Sequence, residues 1–451
     1  MITYRKAESN DLDQILTLIR LGFSFQHNST PDLQNGWEHY VLFRHLYSQP
    51  DHNLNWIYLA EQKGNLAAVV GAFPHQLSFE GNLIPVWAVS PVVSHPDYRG
   101  QGIAGKSLRW ALHDLKSQGI PAVFLWGLPD YYPRFGFVPL LPRYKTKVTK
   151  KQLRQRSSKV NGYFRQIQPT DWEAVSALYN QGTLKFWLQP ERTLDWWKRR
   201  TAENGLELAE IKEVPFPDIK HFLIWEKSGG KNSGKSNKNF EKAGPSAQAI
   251  SGYLYFQEKQ PQSKIYIDES AASDLETAME MAITFINDYL APEQTLYING
   301  TPEHLLNIAA YRLGGTHINP APLAGMIKVI DWPRFLKLFS PVLEKRLHGD
   351  LTSGCSARIT NGSEGNESFL FKSNPYQIYL FRESTGEKIE FTLTADRTLA
   401  GNKHDAGPLV KLFFGLYETE DLIALNQSPS QLLNILFPKK YPFIWDKNYL
   451  Y

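Results

Sequence analysis

Apolar residues along this chain switch between two spacings, and the switches mark out its elements. Leu12, Ile15, Leu16 and Ile19 recur at helical intervals behind Ser9-Asn10-Asp11, whose short polar side chains suit a helix cap. Residues 2–5 precede them as an opening strand. Three apolar runs, 57–60, 67–73 and 76–79, read as consecutive strands, with Lys63-Gly64-Asn65 after the first and Glu80-Gly81-Asn82 after the third predicting tight hairpin turns. A longer run, 86–93, breaks at His95-Pro96-Asp97 and passes through Arg99-Gly100-Gln101-Gly102. It then opens into a stripe at Ile103, Leu108, Ala111 and Leu112. That order reads strand, glycine loop, helix. Residues 122–126 supply the next strand.

Near residue 150 the order restarts. A strand over 163–167, a cap at Pro169-Thr170-Asp171 and a stripe at Val175, Leu178 and Tyr179 echo residues 2–19 in order and length, which is the signature of an internal repeat. The second copy lacks the R-G-x-G string. Its strand at 264–267 is expected to run into Asp268-Glu269-Ser270 and a helix, where carboxylates would repel a phosphate. Gly229 to Ser236 satisfies the phosphate-loop pattern G-x-x-x-x-G-K-S, but no apolar helix follows to supply the dipole. Its Lys/Ser/Asn/Gly composition is that of a flexible insertion over 227–248. From about residue 325 the pattern becomes α+β: the stretch 326–332, a helix over 332–347, a hairpin over 376–393 around Ser384-Thr385-Gly386, and a helix over 408–414.

Composition narrows the classes. With 451 residues the chain is long enough for two to three domains, and 42% hydrophobic with 21% charged residues describes a globular protein. A net charge of +4 is too mild to argue for a nucleic-acid partner. The single cysteine, Cys355, excludes an internal disulfide framework and a zinc-cysteine cluster, and suits a reducing cytosol. The first twenty residues carry acidic side chains and no apolar core of a signal peptide, and no run approaches the roughly eighteen apolar residues of a membrane span. A cytoplasmic protein without a metal is the expectation.

The candidate chemistry sits at the strand–loop–helix junction. The start of a helix presents backbone N–H groups with no intrahelical partner and a partial positive charge, which suit a phosphate-bearing ligand. Gly100 and Gly102 remove the Cβ atoms that would hold a diphosphate away, and Arg99 adds charge. A dinucleotide fingerprint needs G-x-G-x-x-G and a later acidic residue, which this string lacks. The stretch from Arg99 through Gly100, Gln101, Gly102 and Ile103 to Ala104 instead resembles the acyl-CoA motif R/Q-x-x-G-x-G/A of the GNAT N-acetyltransferases. Residues 130–137, Asp130-Tyr131-Tyr132-Pro133-Arg134-Phe135-Gly136-Phe137, are similar to that family's Y-x-x-x-G-F segment.

The order of parts over the whole chain resembles the enhanced intracellular survival (Eis) acetyltransferases. The resemblance implies an α/β and α+β chain: a catalytic GNAT unit over 1–150, a degenerate GNAT-like unit over 151–324, and a sterol carrier protein-like domain over 325–451. It also implies acetyl-CoA as co-substrate, an amine acceptor and a homo-oligomer. The CoA would be held by the backbone at Val92, Val93 and Ser94 and by the loop from Arg99 to Ala104, between splayed strands. Tyr132 would protonate the departing thiolate, with Tyr131 facing away. Phe25 and Trp37 would wall the acceptor pocket, with Asp32 or Glu38 attracting the amine, although packing alone accounts for such aromatics too.

A lysine-type amine, pKa about 10.4, is mostly protonated at neutral pH and needs a base. Many GNAT enzymes place a glutamate on or beside the central strand, yet 85–95 contains no carboxylate. His95, next to Pro96, reads as a polar cap. The Eis resemblance offers a C-terminal carboxylate instead, here that of Tyr451, behind the aromatic stretch 444–451. The alternatives are a GNAT using another acyl-CoA, and a non-catalytic protein that senses acyl-CoA or binds lipid.

Overall fold

The computed structural model describes residues 2–25, 31–48, 52–153, 160–183, 188–201, 221–228, 250–259, 263–318, 325–349, 376–382, 387–393, 407–416, 418–424, 434 and 436–440. In chain order come β1 (Thr3–Lys6), α1 (Leu12–Ser24), α2 (Leu33–Tyr47), β2 (Ile57–Gln62), β3 (Asn65–Phe73), β4 (Gln76–Phe79), β5 (Asn82–Ser94), α3 (Ile103–Ser117), β6 (Ala122–Trp126) and β7 (Val138–Leu141). Next are β8 (Lys145–Thr149), β9 (Gly162–Gln166), α4 (Trp172–Thr183), α5 (Leu194–Thr201), β10 (Phe222–Lys227), β11 (Ile250–Lys259), β12 (Lys264–Ala272), α6 (Leu275–Asp288), β13 (Thr295–Asn299), α7 (Leu305–Arg312) and β14 (Thr316–Ile318). Last are β15 (Gly325–Val329), α8 (Trp332–Gly349), β16 (Tyr376–Arg382), β17 (Glu387–Leu393), α9 (Gly407–Phe414) and α10 (Thr419–Ala424).

The chain divides into two compact units. The first joins Met1–Leu141 to Pro322–Pro442, and the second joins Pro142–Ala321 to Phe443–Tyr451. In the first, a mixed sheet runs β1-β2-β3-β5-β6-β15-β7 with β4 paired to β5. Both predicted turns are present as two-residue loops. Lys63-Gly64 has φ of 51° and 80°, and Glu80-Gly81 has 55° and 89°, the left-handed pair that matches strand twist. β3 is buried from Leu66 to Phe73, so its sequence is continuously apolar rather than alternating. The buried stripe of α3, which includes Leu108, Ala111 and Leu112, packs with Val70, Trp87, Val89 and Val123 of the sheet. On the β4–β5 hairpin, Phe79 meets Phe335, Phe339 and Phe414, and Glu80 pairs with Arg346 and Lys440.

The second sheet runs β14-β8-β13-β12-β11-β10-β9. Its repeat relation to the first is visible atom by atom. Arg5 bonds Asp11 through both terminal nitrogens (2.6 and 2.8 Å) and Glu61 through Nε (3.0 Å). Arg165 does the same with Asp171 (2.5 and 2.9 Å) and Glu226 (2.7 Å). Both aspartates also accept from a backbone N–H three residues earlier, closing the turn before α1 and α4.

Three placements differ from the reading along the chain. β8 belongs to the second sheet although it precedes residue 150, and β15 completes the first sheet although it follows residue 324. An apolar pattern predicts a strand without saying which sheet it joins. Asp268, Glu269 and Ser270 continue β12 as buried strand residues rather than leaving it for a loop, because the two carboxylates find partners inside the unit. The helices α8 and α9 and the hairpin strands β16 and β17 lie where the spacing predicts them, with Tyr376 opposite Leu393 and Arg382 opposite Glu387.

Candidate active site

The first sheet opens beside its central strand. β5 and β6 are parallel and pair only at Val86–Ala122, Trp87–Val123 and Ala88–Phe124, yet β5 runs on to Ser94. Beyond Ala88, β5 keeps its pairing with β3 on one edge, including Val92–Val70, Val93–Val69 and Ser94–Ala68, while the other edge faces the opening. A bulge of β5 at Ser90-Pro91 accompanies the divergence, opposite Gly71 of β3. A Cβ there would stand 2.5 Å from the Ser90 carbonyl oxygen, so only glycine permits this approach.

The glycine loop lies at the far end of the opening. Gly100 and Gly102 have φ of 76° and 72°, a left-handed backbone that side chains resist, and the space above both is open. Gly102 is the N-cap of α3, so the N–H groups of Ile103, Ala104 and Gly105 begin the helix without intrahelical partners. Ile103 and Ala104 bury their side chains with Ala60, Ala67 and Ala68, which fixes the helix start against the sheet. Gln101 donates to the Asp97 carbonyl at 3.2 Å. His95 caps the turn at 96–98 by accepting from the Asp97 N–H, the polar-cap role its position suggests.

Arg99 has a different task from the one its place in the motif implies. Its guanidinium donates to the carbonyls of Phe25 (2.6 Å) and Gly22 (2.9 Å) at the end of α1. A cation there compensates the helix C-terminus and ties the loop to the α1 end. Phe25 is thus brought to the loop through its backbone. Trp37 is not: it stacks on Tyr40 and lies under Arg20, in the α1–α2 contact. Asp32 caps α2 through the Asn35 N–H, and Glu38 accepts from Gln34.

Tyr132 sits in a turn between β6 and β7. Its ring is buried with Trp87 and Val89, at the start of the opening. Gly127 makes that possible, since a Cβ there would lie 2.0 Å from the Tyr132 ring. Tyr131 does not face away: its ring meets Tyr132 edge-on at 5.0 Å, and its hydroxyl lies beside Gly105 on the first turn of α3. Burial raises the Tyr131 phenol pKa, and Arg134 and Arg109 draw it back. The turn is held from below by Lys328 of β15, which donates to the Phe135 carbonyl at 2.5 Å. Burial, helped by Lys116, brings the Lys328 pKa down to about 8. No local sequence signal points to Lys328, which is distant in the chain from the turn it supports. Lys106 and Arg109, exposed on α3 beside the loop, also escaped the motif reading, although their charge near a helix start was the available clue. Tyr451 and its preceding stretch lie outside the described residues, as do the insertion's 229–248 and Cys355.

Among the described residues, no group of three or more His, Cys, Asp or Glu is placed to hold a metal ion, and no helix is long and apolar enough to cross a membrane. Residues 3–140 match the acetyltransferase (GNAT) domain family. An uncharacterized N-acetyltransferase of Escherichia coli, YjhQ, is 37% identical over 51 residues, which is 11% of this chain and 28% of that protein. Solved structures extend the likeness to the whole length. A probable N-acyltransferase from Enterococcus faecalis aligns over 99% of both chains with a TM-score of 0.62 at 15% identity. A GCN5-related N-acetyltransferase from Anabaena variabilis covers 99% of this chain and 100% of its own, with 0.60 at 13%. Eis1 from Mycobacterium abscessus covers 97% and 96%, with 0.54 at 12%. At such identities the structures establish a shared fold.

Proposed function

From the premise that residues 3–140 are a GNAT domain in a chain of Eis-like fold, we propose an acetyltransferase that moves the acetyl group of acetyl-CoA to an amine. One observation carries the reading: a sheet that parts after Ala88–Phe124, with a left-handed glycine loop at one end of the gap and Tyr132 at the other. The N–H groups at the start of α3 hold the diphosphate, with Lys106 and Arg109 adding charge. The pantetheine arm follows the free edge of β5 and brings the thioester toward Val89 and Tyr132. The amine nitrogen attacks the thioester carbon, and strand N–H groups stabilise the oxyanion. Collapse breaks the carbon–sulfur bond, and the Tyr132 hydroxyl protonates the sulfur. From Val89 to Ser94 no residue is a carboxylate, so the amine's proton goes to a group outside that stretch.

Tyr132→Phe is expected to lower kcat by roughly 10²-fold, the usual scale for losing a general acid, while acetyl-CoA affinity changes less than about twofold. Release of free CoA across a panel of amines, with calorimetric titration of acetyl-CoA, measures both. An unchanged kcat removes Tyr132 from the mechanism. Tight acetyl-CoA binding with no turnover on any amine favours an acyl-CoA sensor instead.

A further inference from the structure

In the second sheet, as in the first, the parallel pairing stops before the longer strand ends. Its parallel pairing between β12 and β13 ends at Ile267–Ile298, and Glu269 lies two residues beyond, just past a bulge of β12 at Asp268. Both carboxylate oxygens of Glu269 accept from a single nitrogen, Nη1 of Arg192, at 2.7 Å. Tyr253 donates to the same carboxylate at 2.9 Å. The guanidinium lies over the rings of Tyr179 (4.4 Å), Trp196 (4.3 Å) and Trp197 (5.1 Å), and Arg192 is only 1% exposed.

Two features separate this arrangement from an ordinary buried ion pair. Among the described residues, the remaining donors of the fork, Nε and Nη2, are buried with no hydrogen-bond partner, so these surroundings supply acceptors for one nitrogen and aromatic faces for the rest. The Arg192 backbone is also fastened separately. Its carbonyl accepts from Asn180 and Ser176, and its N–H donates to Asn180, so the side chain's position does not depend on the ion pair alone. A carboxylate at the end of an aromatic box is the chemistry that recognises an organic cation.

We infer that Glu269, Tyr253, Tyr179, Trp196 and Trp197 form an organic-cation site in the second unit, occupied by the chain's own Arg192. The site is independent of acetyl transfer in the first unit. Between β12 and β13 themselves, Asn299 donates to Asp268 at 2.7 Å, a link that would stand in the way of a pantetheine arm.

Arg192→Ala vacates the box. Ethylguanidinium has the six heavy atoms removed and n-butylammonium a single charged nitrogen, and either is expected to raise the variant's melting temperature, logarithmically with its concentration above Kd. At ten times its Kd the rise is about 3–6 °C for a unit of this size, over sodium chloride at equal ionic strength. The unaltered protein, its box filled, is expected to show no such rise, and Arg192→Ala combined with Glu269→Gln to lose it. Where Arg192→Ala does not fold unaided, refolding yield against ethylguanidinium concentration gives the same reading. A shift no larger than the salt control, a shift that survives Glu269→Gln, or a refolding yield indifferent to the cation overturns the inference.

Discussion

Gly102 is where backbone conformation bears most directly on the proposed acetyl-CoA site. Its φ of 72° is left-handed, while a Cβ there would meet nothing within 4 Å. Gly102→Ala therefore tests backbone strain without a steric clash. The left-handed conformation costs about 1–2 kcal/mol for an alanine, so the loop relaxes and the N–H groups of Ile103 and Ala104 turn from their common direction. Acetyl-CoA affinity is expected to fall roughly tenfold, which corresponds to about 1.4 kcal/mol, with kcat at saturation changed little. Titration calorimetry checks the first and saturating kinetics the second; unchanged affinity would mean that the diphosphate is held elsewhere. The left-handed glycine loop and the turn that carries Tyr132 were legible in the sequence as local structure, because their spacing is set by the backbone. Arg99 was legible only as a charge. Its partners, the carbonyls of Gly22 and Phe25, lie 77 and 74 residues earlier, and no local pattern connects them.

At the scale of elements, the turn carrying Tyr132 depends on β15. Lys328 is buried under that turn, and its pKa falls from 10.5 to about 8. A folded-state pKa below the unfolded one means that the unfolded chain binds the extra proton between those two values. This group's contribution therefore makes stability rise with pH across about 8 to 10.5, and below 8 the full penalty of a buried cation is present. Relative to Lys328→Met, the unaltered protein is expected to gain up to about 3 kcal/mol over that window. Urea melts of both proteins at pH 7.5 and pH 9.5 measure the difference, and a gap that does not move with pH contradicts a buried, titrating lysine. The same scale shows what periodicity reads well and badly. The Lys63-Gly64 and Glu80-Gly81 turns were predicted because left-handed pairs demand particular residues. The far half of β12 was misread because Asp268 and Glu269 look like loop residues until Asn299 and Arg192 are brought to them by the fold.

For the whole molecule, the order of strands in space separates what pattern reveals from what it hides. The duplication was visible, and the matching Arg5–Asp11–Glu61 and Arg165–Asp171–Glu226 clusters give it an atomic counterpart. The sheet to which each connecting strand belongs was not visible. β6 and β7 do not pair with each other, because β15, from the other side of the second sheet in sequence, lies between them. A fragment of residues 1–150 thus lacks the strand that satisfies the backbone of both neighbours. It also carries β8 without its partners β13 and β14. Unpaired buried strand edges favour association over folding. The fragment is expected to aggregate or to show little sheet by circular dichroism, and to bind acetyl-CoA at least tenfold more weakly than the intact chain. A soluble, monomeric fragment with the intact affinity would show that β6 and β7 can close on each other, and that the first unit needs nothing beyond the residues its family motif covers.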